Sequence, residues 1–174
     1  MSQRDVEQVY RALFISTVTA FETFLEDLFL GLLVDGRGLT SERSTFSKRV
    51  IIRSPRVARE IVIGPNQKYV DWLPYDLTEK RARLFFGGGR PFTAVSAPER
   101  RLLKRCSAIR NRIAHNSRHS NERFQKVVIG TLAILPRNRT PARYLRSLFR
   151  LNPTQTRYEN LAAEILRLAR RLAK

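Results

Sequence analysis

Arg110, Asn111 and His115 fall within six residues, inside the stretch RRLLKRCSAIRNRIAHNSRHS that runs from 100 to 120. These types suit one reaction well. RNA carries its own nucleophile, the 2′-hydroxyl, beside the scissile phosphate. Cleavage then needs a proton shuttle and a cation for the crowded phosphorane, and no metal-bound water. Histidine titrates near neutral pH and serves as base or acid. Arginine grips two phosphate oxygens as charge develops. Asparagine can orient an oxygen or the imidazole. Asn111 and His115, at i and i+4, share a helix face. Arg110 and His115 stand about 140° apart on an ideal helix. Either the helix ends near Ala114 and re-aims the histidine, or two copies meet about a two-fold axis and pool their residues.

The surroundings of this trio are strongly cationic. The stretch 100–120 holds six arginines, one lysine, both histidines of the chain and no acid. Arg105, Arg112, Arg118 and His119 are the candidate phosphate contacts. Glu22 lies beside the apolar seam of the first helix, where it either pairs with Arg110 or tunes His115, or is simply a solvated flank. His115 and His119 have a metal-ligand spacing, but no glutamate follows the first of them and the nearest further ligand is Glu122. A peripheral phosphate contact suits His119 better than ligation, and no metal or cofactor is expected. Cys106 falls among apolar positions and reads as a small core residue. GGGRP (87–91) lacks the Lys-Ser/Thr of a nucleotide loop and reads as a helix stop and turn. Tyr69, Trp72 and Tyr75, interleaved with Lys68, Arg81 and Arg83, read as packing residues ahead of a base-stacking set. Arg167, Arg170, Arg171 and Lys174 line the last helix, as a solvated face or as a nucleic-acid rail.

The elements that must position these residues follow from apolar periodicity. Residues 5–34 predict one long helix, with Phe14, Val18, Phe21, Leu25, Leu28 and Leu32 alternating steps of four and three. DGRG (35–38) stops it. A short helix is expected near 42–53, and 54–63 is left open. Residues 66–89 suggest two short helices broken at Pro74, the second at about 77–86. Ser96 and Glu99 form a capping box, with Pro98 in the first turn. They open a helix that carries Leu102, Cys106, Ile109 and Ile113. Residues 121–135 favour helix over buried strand, and 140–151 suggests a short helix. Thr156 and Glu159 form a second capping box before a final helix with Tyr158, Leu161, Ile165, Leu168 and Leu172 in register. The expected fold is an all-α bundle of four to five helices in one domain over 1–174. Two long terminal helices clasp the central 97–117 helix, and 36–95 forms an elaborated connection.

Composition bounds the partners. The 174 residues suffice for a sizeable core without disulfides, and the one cysteine excludes an internal disulfide and a multi-cysteine zinc site. It suits a reducing cytoplasm. No signal peptide is evident, and ALFISTVTAF (12–21) is too short to span a membrane. The formal charge is +18; residues 1–36 hold two arginines against six acids, so the rest of the chain carries a net +22. Such a surface attracts polyanions, nucleic acid first and anionic membrane second.

IRNRIAHNS resembles the signature of the HEPN superfamily: an arginine, a polar residue, a short spacer and a histidine on the penultimate long helix of an α bundle. TVTAFETFLEDLF is similar to the first helix of that family. ARLFFGGGRPF is similar to the approach to the motif in its RiboL-PSP-like branch. The resemblance covers the first helix and residues 81–128. It implies a HEPN-like bundle and a metal-independent endoribonuclease acting as a homodimer, often a toxin or an anti-phage effector. Arg110 and His115 match the catalytic pair, and Asn111 the polar residue after the arginine. One sub-branch has a tyrosine two residues after the histidine, which a partner nucleotidyltransferase modifies; this chain has Ser117 there. The rival classes are a nucleic-acid-binding module without turnover, and an interaction protein held by an antitoxin or by a larger defence assembly.

Overall fold

A computed structural model describes residues 2–34, 49–50, 52–64, 67–130, 132 and 134–173. Among them the protein is mostly helical, of the all-α class, with seven α-helices and one two-stranded sheet. The helices are α1 (Gln3–Val34), α2 (Pro55–Ile63), α3 (Tyr75–Phe85), α4 (Ala97–Ala114), α5 (Arg118–Phe124), α6 (Pro141–Arg146) and α7 (Arg157–Leu172). Strands β1 (Leu148–Arg150) and β2 (Gln155–Thr156) make an antiparallel hairpin between α6 and α7. No helix among the described residues is long and apolar enough to cross a membrane.

The chain divides into two compact units: residues 1–20 with 101–167, and residues 21–100 with 168–174. In the first, Phe14 and Val18 of α1, Leu102, Leu103, Cys106 and Ile109 of α4, Phe124 of α5, Tyr144 and Leu145 of α6, and Leu161 and Ile165 of α7 are all buried. Arg143 Nε donates to Glu7 Oε1 at 2.8 Å, fixing α6 to the start of α1. In the second, Phe29 is the hub. Its ring centroid lies 4.9 Å from Phe86, 5.1 Å from Phe92 and 5.2 Å from Trp72, an aromatic cluster that buries large apolar area in defined geometry. The expected seam of the first helix is buried throughout.

Both expected cap pairs engage, and the Thr156–Glu159 pair does so reciprocally, with the Glu159 N–H donating to Thr156 Oγ1 at 3.2 Å. Ser96 N–H donates to Glu99 Oε2 at 2.7 Å, and Thr156 N–H to Glu159 Oε2 at 2.6 Å. Arg171 also grips Glu99 with two donors, Nε at 3.0 Å and Nη2 at 2.7 Å. Partial burial pushes the Glu99 carboxyl up, but the Ser96 hydrogen bonds and Arg171 outweigh it and hold the group below its ordinary value.

Three expectations need correction. The helix expected before Pro74 does not form: the described residues 67–73 are non-helical. Trp72 is buried there, with Nε1 donating to Glu26 Oε2 at 3.2 Å, and its carbonyl accepts from Thr78 Oγ1 at 2.6 Å. The residue before a proline is also disfavoured in the helical region. The helix expected near 42–53 falls mostly outside the described residues, and its described members 49, 50, 52 and 53 are not helical; α2 starts later, with Ser54 as its cap and Pro55 in its first turn. The expected 140–151 helix ends at Arg146 and gives way to β1. Tyr75 and Trp72 are core residues, as expected, while Tyr69 is exposed.

The glycine triplet does end α3. Gly89 has φ +73°, and a Cβ there would lie 2.7 Å from Thr93 Cγ2; Gly88 has φ +64° with open space around it. Gly88→Ala should therefore cost only the left-handed backbone penalty, about 1–2 kcal/mol. Gly89→Ala should cost more, because Thr93 must also move. Urea midpoints of the two variants check the order.

Candidate active site

The motif helix leaves the core at the residues of interest. Along α4, Cys106 to Ile109 are all buried, residues 110–113 are half-buried, and 114–119 are exposed. The apolar positions Leu102, Cys106 and Ile109 anchor the helix in the core, and Ile113 is only half-covered. Arg110 and Asn111 sit where that cover thins, and His115 sits just beyond it.

α4 ends at Ala114, which is the first of the two ways round the 140° separation. The His115 N–H still donates to Asn111 O at 2.9 Å, and the chain then turns. Ser120 Oγ donates to His115 O at 2.6 Å and to Ser117 O at 2.9 Å. Arg112 Nη1 donates to Asn116 Oδ1 at 2.8 Å and, at 3.4 Å, to His115 O. Ser117 caps α5 by accepting the Ser120 N–H. The His115 backbone is thus held at both its N–H and its carbonyl, while its side chain stays in solvent. The 115–117 link owes this geometry to Ser117 and Ser120, short polar side chains that compete for backbone groups where a helix would otherwise continue.

The other expected residues are placed unevenly. Arg118 and His119 open α5 and are exposed; Arg118 pairs with Glu122 at 2.7 Å, with the side chains 93% and 58% exposed. A pair so solvated is worth little, so Arg118 can turn to a phosphate. Arg112 is committed to the turn. Arg105 is tied into the scaffold: Nη2 lies 3.8 Å from Glu164 of α7, and Nε is buried with no hydrogen-bond partner among the described residues. Glu22 is half-buried on α1 and belongs to the other compact unit. Glu26 is engaged by Arg59 and Trp72.

His115 and His119 do not share a helix, because α4 stops before the first and α5 starts before the second. Among the described residues, no three of His, Cys, Asp and Glu come together as metal ligands. Burial pushes the Cys106 thiol up to about 12 despite the nearby Arg105, which leaves it protonated and unsuited to attack.

The cationic run is longer than the motif. From Arg100 to Tyr158 the chain has fifteen arginines and lysines and one acid, Glu122. The absence of acids between 123 and 158 was a readable signal, and it brings in Arg137, Arg139, Arg146 and Arg150. No family model, curated protein or solved structure matches the chain.

Proposed function

We propose that the protein is a HEPN-like, metal-independent endoribonuclease that cleaves RNA by 2′-hydroxyl attack. His115 is the proton shuttle, Arg110 the cation for the phosphorane, and Asn111 the orienting amide. The observation that supports this best is the end of α4: a core-anchored helix delivers Arg110, Asn111 and a backbone-pinned, solvent-exposed His115 at its exit, in a run with almost no acid. His119 and Arg118 extend the phosphate-binding face along α5, and Arg105 and Arg112 add to its field.

The working unit is a homodimer. The HEPN resemblance supports this: a second copy across a two-fold axis would bring its own Arg110 and His115 to the same cleft. On this reading the protein works in the cytoplasm as a toxin or anti-phage effector, restrained by a protein partner.

The test is incubation of purified protein with RNA in EDTA, with Arg110→Ala as control. Cleavage should persist in chelator and leave 2′,3′-cyclic phosphate ends, because the nucleophile belongs to the substrate. Activity lost in EDTA and restored by zinc or manganese would remove this mechanism.

A further inference from the structure

After α6 the chain enters the β1–β2 hairpin, whose base is fixed and whose tip is bare. Leu148 pairs with Thr156 and Arg150 with Gln155. At the base, the Arg157 N–H donates to Ser147 O at 2.9 Å, and its Nε donates to Ser147 Oγ at 3.1 Å. The same guanidinium lies 5.2 Å over the buried Tyr144 ring. Beyond this clamp every residue of β1 is exposed. Leu148 is 48% exposed, Phe149 49% and Leu151 76%.

Three exposed large apolar side chains in four positions, on β1 and in the turn that follows it, mark a contact surface. The pairing register shifts between Leu148 and Arg150, so simple alternation does not sort these side chains; what Leu148, Phe149 and Leu151 share is their exposure. The surroundings select the occupant. Arg146, Arg150 and Arg157 are the only charged residues between Arg143 and Glu159. A second copy would bring the same arginines into opposition, which disfavours self-pairing. A polyanion with apolar faces fits both features.

We propose that this hairpin is a platform for single-stranded RNA: one unpaired base stacks on Phe149, and Arg150 and Arg146 hold the flanking phosphates. The assignment rests on the nuclease reading for its biological sense and deepens it by naming the substrate class as unpaired RNA. A base within a duplex has both faces covered by its neighbours, whereas an unpaired base offers a free face to an aromatic ring.

The experiment measures binding of the full chain, in a His115→Ala background that reads affinity without turnover, to a labelled single-stranded RNA and to the same sequence as a duplex. Phe149→Ala should weaken single-strand binding about tenfold and leave both the duplex affinity and the salt slope unchanged. Arg150→Ala should reduce the log–log salt slope by about 0.7. Phe149→Trp should bind normally, and its emission should be quenched by the RNA, against a steady background from Trp72, which is 2% exposed. Unchanged affinity in Phe149→Ala with an unquenched tryptophan would overturn the proposal, as would equal loss on duplex or no RNA binding by the parent. Loss of binding to phosphatidylserine–phosphatidylcholine vesicles in Phe149→Ala, with RNA binding intact, would assign the hairpin to a lipid surface instead. Cleavage by the unmutated chain is scored separately. If it cleaves while Phe149→Ala binds normally, the hairpin assignment falls and the nuclease reading stands. If binding depends on Phe149 and no cleavage occurs, the hairpin assignment stands and the nuclease reading falls.

Discussion

His115→Ala should lower RNA cleavage by about 10³-fold while the circular dichroism spectrum stays that of the parent. A positioned general acid–base contributes about 10²–10⁴-fold, and this is the only imidazole directly at the end of α4. The fold should tolerate the change because the imidazole is exposed and the hydrogen bonds at this residue belong to its backbone, through Asn111, Arg112 and Ser120. Mixing His115→Ala with Arg110→Ala chains then reports how the site is shared. If each phosphate is handled by Arg110 of one chain and His115 of the other, heterodimers keep one intact site and activity partly returns. If both pairs crowd one cleft, mixing rescues nothing, yet dilution below the dimer dissociation constant still inactivates by mass action. Unfolding of His115→Ala, or full activity in a protein that sediments as a monomer, would defeat this account.

RNA affinity should collapse with salt. If about six phosphates are neutralised, each adds about 0.7 to the log–log slope, and raising salt from about 50 to about 200 mM lowers affinity by about 10² to 10³. The source is the run from Arg100 to Tyr158, with its single acid. A flat dependence in a filter-binding titration would mean that this charge serves an acidic protein partner rather than a phosphate backbone.

The parts of the fold that were legible in the sequence are those written locally. Ser96 with Glu99, and Thr156 with Glu159, announce helix starts within four residues, because the cap and its reciprocal acceptor are both short-range. The buried seam of α1 is readable because helical periodicity repeats without a break from Phe14 to Leu32. What was missed depends on distant partners or on too little sequence. Residues 67–73 look helical until Trp72 is seen against Glu26 and Phe29. The hairpin has strands of three and two residues, too short to show alternation, and its apolar residues face solvent, so LFRL reads as the end of a helix. α2 buries only Ala58 and Val62, which is too thin a stripe to predict. At the site, the residue types were legible; the helix expected over 97–117 ends at Ala114, which was only one of two alternatives. The engagement of Arg105 by Glu164 and of Arg112 by Asn116 was not, since the first needs α7 and the second needs the turn.

Cys106 carries a consequence for how the first unit breathes. It is the chain's one sulfhydryl, sealed among apolar neighbours and held in its protonated form. A thiol reagent can reach it only in molecules whose packing around α4 has come apart, so the rate of alkylation is the intrinsic thiolate rate scaled by the fraction open. The helix that presents Arg110 and His115 thereby contains its own clock for local opening. Comparing that clock with and without bound RNA would measure how far a polyanion on the outer turn stiffens the buried half of the same helix.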